Sequence, residues 1–254
     1  MRPARILVAA TVLAVPVIAA AQTRPAPQGP PRPAPDFLFE PPDGSLTLRG
    51  SWFLARAGSD WYDFVTRQLT LDDSDFNSAG VGVDLGIVIT PRLEAIVGFD
   101  FSQSTTPSEY RDFVDNNRLP IEQRTRLRQI GLSGALKVAL ARRGREVGRF
   151  AWVPSRVVPY AGAGGGILWY NVLQSGDFVD FVDRSIFTDA FLARGATPSV
   201  HVFGGVDVRV ARRLFVTFDG RYLWAAGDLG REWIDFDPID LGGTRLSAGL
   251  NLVF

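Results

Sequence analysis

The chain has no cysteine, one histidine and one methionine in 254 residues, and its formal charges cancel. Without thiols there is no disulfide framework, no thiolate-held metal and no cysteine for lipid attachment at the amino terminus. One imidazole, His201, cannot build a histidine metal cluster, so no metal or other cofactor is expected. Cancelling charge removes the usual footprint of a nucleic-acid binder, and no such partner is expected. Also missing is any apolar run of the roughly 18 residues that a membrane helix needs. What is present is glycine, at 26 residues, and aromatic side chains, at 11%.

The amino-terminal region reads as two segments that do not belong to a core. In residues 1–21, Arg2 and Arg5 precede an apolar run from Ile6 to Ile18, and Ala19-Ala20-Ala21 supplies a small-residue cleavage site, the pattern of a secretory signal peptide. Residues 22–44 are rich in proline and poor in apolar residues, so they read as an extended linker.

From Ser45 to Phe254 apolar and polar residues alternate with the period of half-buried strands. Eight such segments are expected, over about 45–55, 80–90, 93–103, 124–140, from 157, 199–211, 213–225 and 242–254. The closing stretch shows the pattern best. Leu246, Ala248, Leu250, Leu252 and Phe254 share one parity, and Arg245, Ser247, Gly249 and Asn251 the other. The links 56–79, 104–123, the one before 199, and 226–241 are long and rich in Asp and Glu. The short links instead carry Arg92, Arg142, Arg143, Arg145, Arg149, Arg156, Arg212 and Arg213. Long acidic links alternating with short basic ones describe an even-stranded, up-and-down membrane barrel with both termini in the periplasm. Residues 141–156 are too long for a periplasmic turn and fit this scheme least well.

A soluble barrel of the lipocalin kind could show the same periodicity, with the apolar parity inside. The polar parity argues otherwise. On it Arg49, Lys137, Arg209, Arg221 and Arg245 are matched by Asp84, Glu94, Asp100, Asp207 and Asp219. Equal numbers of each sign among Gly, Ser and Thr suit a narrow enclosed lumen in which every desolvated charge needs a partner. The fold expected is therefore all-β, an eight-stranded antiparallel up-and-down transmembrane β-barrel over residues 45–254.

The segments PYAGAGGG (159–166), RLFVTFDGRYLW (213–224) and LSAGLNLVF (246–254) resemble the outer membrane protein A-like and opacity-protein group of eight-stranded outer-membrane barrels. The resemblance covers about residues 45–254. It implies a place in the cell outer membrane, delivery by the barrel assembly machinery with Phe254 as the assembly signal, and a monomer. No segment resembling the peptidoglycan-binding domain of many relatives follows the eighth strand, so cell-wall anchoring is not carried over.

Among candidate sites, Gly162, Gly164, Gly165 and Gly166 sit in a strand rather than a nucleotide loop, and read as small inward residues that leave room for arginine. Asp73, Asp75 and Asn77 have the opening spacing of a calcium loop without its turn glycine. His201, with Ser199 nearby and Asp207 or Asp219 to orient it, is the one arrangement that could serve a lipid A-modifying acyl transfer, but on the lumen parity, away from lipid. Arg124, Arg126 and Arg128 share the outward parity of Ile130, a ladder suited either to lipopolysaccharide phosphates or to pairing with loop carboxylates such as Asp72, Asp73 or Glu122. The function expected is that of a non-enzymatic envelope component that displays acidic loops for adhesion or interaction with an extracellular ligand. A narrow solute channel is the alternative.

Overall fold

The computed structural model describes residues 37–149, 151–230, 233 and 235–254. The segment read as a signal peptide, residues 1–21, and most of the one read as a linker lie outside the described residues. In chain order the elements are β1 (Gly44–Ala55), α1 (Asp60–Gln68), the 3-10 turn Asp73–Phe76, β2 (Ser78–Val88), β3 (Leu93–Val114), β4 (Pro120–Ala139), β5 (Gly144–Glu146), β6 (Trp152–Pro154), β7 (Val157–Val179), β8 (Ile186–Arg209), β9 (Leu214–Gly227), β10 (Ile239–Asp240) and β11 (Gly243–Val253). Eight of these strands pair antiparallel with their sequence neighbours in the order β1, β2, β3, β4, β7, β8, β9, β11. The ring closes where β11 pairs back onto β1, with Ser45 opposite Val253.

The alternation decides which way the sheet faces. Leu48, Val83, Leu85, Val97, Leu132, Leu136, Val200 and Leu250 stand exposed on the outside, while Arg49, Glu94, Asp100, Lys137, Asp207, Asp219, Arg221 and Arg245 are buried inside. A soluble barrel has the opposite arrangement, which removes the lipocalin alternative. On β4 the outward apolar run extends from Ile130 to Leu140, roughly 33 Å of strand, and at a tilt of about 40° it rises about 25 Å, the height of an outer-membrane apolar band. A closed ring leaves no backbone edge unpaired within that band.

Four features depart from the sequence expectation. First, β3, β4, β7 and β8 run well past the apolar band. β3 loses its β2 partner after Ser102 yet stays paired to β4 beyond that point, to Val114. The four therefore rise as a curved sheet above the barrel. Second, the first long link contains α1. Asp60 and Asp63 in its first turn and Arg67 in its last suit the helix dipole, and Trp61, Tyr62 and Val65 form its buried face. Third, residues 141–156 are not a turn but a hairpin, β5 with β6. Fourth, the end of the linker is not a free spacer: Leu38 is buried and exchanges both backbone hydrogen bonds with Trp152 of β6, at 2.8 and 2.7 Å.

Phe254 donates its backbone N–H to Gly44 O at 3.0 Å and accepts from Asp43 and Gly44. A Cβ on Gly44 would lie 2.6 Å from the Phe254 ring, so the carboxyl-terminal aromatic needs glycine there.

Candidate functional site: a charged lumen under an aromatic cap

At mid-height the lumen is organised by Asp100 on β3. Arg245 reaches its Oδ1 at 2.7 Å, Arg49 at 3.1 Å, and Arg221 its Oδ2 at 3.3 Å. Asp84 on β2 takes Arg49 at 2.9 Å and Arg221 at 3.7 Å. Three guanidiniums from β1, β9 and β11 thus converge on two carboxylates of adjacent strands. The arginines also lie against aromatic faces, Arg221 5.1 Å from the Phe203 ring and Arg245 5.4 Å from that of Phe53, contacts that favour a desolvated cation. Gly82 is the residue that makes room here. A Cβ on it would lie 2.8 Å from Asp100 Oδ1 and 3.0 Å from Arg49 Cζ.

Toward the periplasm a second cluster forms. Lys137 bonds Asp207 at 2.8 Å, lies 3.9 Å from Glu94, and sits 3.9 Å above the Tyr160 ring. Glu94 also accepts from the Ser45 hydroxyl and from Arg143 at 2.6 Å. Arg143 comes from the link that the sequence assigned to the surface. Its pairing is set by the β5–β6 hairpin, which folds back beneath the barrel and helps enclose a cavity of about 860 Å³ lined by Arg92, Arg142, Arg145, Trp152 and the linker residues 41–45.

Eight of the ten lumen residues named from sequence are buried inside and Asp84 is half-buried and paired with Arg49, but the ion pairs that form do not match acids to bases one to one: Asp100 alone takes Arg49, Arg221 and Arg245. Asp219 makes no ion pair within 4 Å among the described residues and takes only the Tyr160 hydroxyl, at 3.4 Å. Arg209 is half-buried at the periplasmic end, its backbone N–H bonded to Arg156 O at 2.8 Å. The glycines of β7 also serve a different purpose from the one expected. A Cβ on Gly162 would collide with the Phe203 ring, and one on Gly166 with the Leu132 carbonyl oxygen of β4, so they admit an aromatic ring and a close neighbouring strand rather than arginines.

Between the two clusters and the upper lumen the free space amounts to pockets of about 30 and 20 Å³, room for about one or two waters each. His201 lies in this packing beside Phe203, its Nε2 buried without a hydrogen-bond partner among the described residues. Ser199 is buried on the same side, so both face away from lipid.

Above the lumen sits a second core. Trp61 and Tyr62 of α1 meet Phe76 edge-on at 5.8 and 4.7 Å, and Trp233 joins Trp61 at 6.0 Å, Phe191 at 5.8 Å and Phe236 at 5.6 Å. Asp240 ties the first and last extracellular segments together. Its Oδ2 accepts from Arg56 Nε at 2.5 Å and Gly58 N at 3.1 Å, its Oδ1 from Gly242 N at 2.9 Å, and its backbone O from the Tyr62 hydroxyl at 2.9 Å. Ser59, at the helix N-cap position, accepts the backbone N–H of Asp240 on its hydroxyl oxygen at 3.2 Å and caps no N–H of the helix. Burial, reinforced by the nearby Asp240 carboxylate, raises the Tyr62 phenol well above its ordinary value. Asp75 and Asn77 spend their oxygens on the backbone N–H groups of Asp72 and Ala55, at 2.8 and 2.9 Å, rather than facing a common ion.

Arg124 and Arg128 are exposed on the outside of β4 and Arg126 is half-buried there, as the parity required. None of the three has a carboxylate within ion-pair distance among the described residues; Arg128 donates to Gln103 Oε1 at 2.9 Å.

A closed ring of eight antiparallel strands with an apolar exterior and a charged, packed interior is a transmembrane β-barrel of the bacterial outer-membrane kind. No family model and no curated protein matches the chain. Among solved structures it is similar to the outer membrane protein OprG from Pseudomonas aeruginosa, at 9% identity and a TM-score of 0.47, over 85% of this chain and 99% of that one. It is similar also to the attachment invasion locus protein Ail of Yersinia pestis, at 12% identity and a TM-score of 0.45, over 84% and 99%, and to Neisserial surface protein A, at 14% and 0.43, over 83% and 97%. These are small outer-membrane barrels; the class rests on the register and the apolar belt described above.

Proposed function

We propose that the chain is a non-enzymatic envelope protein whose working surface is the sheet that β3, β4, β7 and β8 raise above the membrane. The observation that carries this is the tip of that sheet. Val114, Leu119, Phe181, Val182 and Phe187 are exposed there, Val182 at 94%, with Asp112, Asp115, Asp180 and Asp183 around them. Phe113 and Phe181, their rings 5.9 Å apart, join the two hairpin tips into one surface. Large apolar residues held clear of a soluble core, with these carboxylates and the exposed Arg111, Arg118 and Arg184 set among them, describe a docking surface for an extracellular partner. The packed lumen supports this reading over conduction, since beside the charged clusters lie pockets with room for only about one or two waters each.

The test is to replace residues 110–119 and 179–186 with short turns, then compare adhesion of cells displaying each form and record both forms in planar bilayers. Adhesion should fall while the unboiled protein keeps its faster gel migration, and neither form should conduct. Unchanged adhesion would reject the surface assignment, and steady openings would establish the channel instead.

A further inference from the structure

The outer wall of the barrel carries a patch that the sequence shows only in part. Arg128 on β4 stands opposite Asn171 on β7, which stands opposite Arg194 on β8. Two arginines far apart in the chain therefore share one cross-strand row, about 10 Å apart, with Arg126 and Arg124 following up β4 at steps of about 6.6 Å. The row beneath is Phe101, Ile130 and Trp169, and Trp169 is 41% exposed on the lipid side. An outward tryptophan at the top of the apolar band marks where hydrocarbon gives way to headgroups. The four arginines begin one row higher.

None of the four is committed to a carboxylate among the described residues. The Nε of Arg126 is buried with no partner, and Arg128 is oriented by Gln103. Their neighbours on β3 and β7 are neutral: Thr105 and Pro107 on one side, Leu173 and Ser175 on the other. The first outward carboxylates, Glu109 opposite Glu122, bound the patch in the row above Arg124. Guanidiniums on the outer face at headgroup height, none paired with a carboxylate among the described residues, fit phosphate oxygens, which accept their paired N–H groups in bidentate contacts.

We propose that Arg124, Arg126, Arg128 and Arg194 form a binding site for the phosphates of lipopolysaccharide in the outer leaflet. The site is independent of the docking surface at the sheet tip, and its failure would leave that reading intact. The experiment uses refolded protein in phosphatidylcholine vesicles, with lipopolysaccharide, enzymatically dephosphorylated lipopolysaccharide or inorganic phosphate added. The parent should bind lipopolysaccharide and gain thermal stability from it, lose most of that gain with the dephosphorylated form, and gain none from inorganic phosphate at matched concentration. R124Q/R126Q/R128Q/R194Q should bind about tenfold more weakly or worse, as lost charge-assisted contacts require. R194Q alone should bind measurably more weakly, and the fourfold lysine variant should fall between. Should the fourfold glutamine variant lose its gel shift, R194Q and the lysine variant decide the matter. Parent-like binding and stabilisation in the folded variants would overturn the site, and a full gain from inorganic phosphate would overturn the lipid as its ligand.

Discussion

The barrel and its cap have cores of opposite character in one chain. Inside the barrel Asp100 gathers Arg49, Arg221 and Arg245, while leucines and valines face outward. Above it, α1 buries Trp61, Tyr62 and Val65 against Phe76 and Trp233, and Asp63 faces water. The difference follows the solvent. Where the surroundings are lipid, apolar burial offers no advantage inside, and charges that satisfy one another fill the narrow space. Where the surroundings are water, apolar burial is again the driving force.

The comparison would break most visibly at Asp100. Asp100→Asn leaves Arg49 and Arg221 on Asp84 and strands the buried Arg245, whose one ion pair among the described residues is with Asp100, and a loss of about 3–5 kcal/mol is expected from urea unfolding in vesicles. Asp219→Asn, losing only a long Tyr160 contact, should cost under about 1 kcal/mol. Equal losses at the two positions would mean that the lumen is held by overall charge balance, not by Asp100.

Trp61→Ala tests whether the cores are separable. It should weaken the cap by about 3 kcal/mol, seen as faster proteolysis within residues 58–76, while the faster gel migration of unboiled protein persists. Loss of that migration would show one cooperative unit. Arg143→Gln should cost less, about 1–2 kcal/mol, because Glu94 keeps Ser45 and a distant Lys137. No change in midpoint would show the hairpin to be a cover without a structural role.

The smallest effect expected is one of pH. The Tyr62 phenol titrates above its ordinary value in the folded cap, so its contribution is intact below about pH 10 and declines as pH rises past the unfolded value. Proteolysis of the cap should accelerate between about pH 9 and 11, and Tyr62→Phe should flatten that rise. An identical profile in both would assign the pH dependence to other groups.

The sequence made the membrane-embedded part legible because lipid outside and charge inside impose a strict period of two. The same physics hid the rest. Residues 103–114 of β3 meet water once they leave the membrane, and QSTTPSEYRDFV carries no alternation to read. α1, at nine residues, is too short for a periodic signal to stand out. Lumen charges could be picked out by parity, but not their partners: Arg143 enters through a hairpin, and Asp219 on the correct parity has no cation within ion-pair distance among the described residues, Arg221, Arg49 and Lys137 lying farther off. Arg194 joins Arg128 only through the register of β7, which no spacing along the chain reveals.

The pairing of β1 with β11 brings together residues from opposite ends of the barrel sequence, and it is fastened twice. Phe254 lies over Gly44 at the periplasmic end, and Asp240 holds Arg56 and Gly58 at the outer end. Contacts of such long sequence separation close the largest loop in the chain and so carry the largest entropy cost of any strand pairing in the ring. The two fasteners add to a ladder of only eleven residue pairs, against twenty-three between β7 and β8, so the seam is held at its ends as well as along its length.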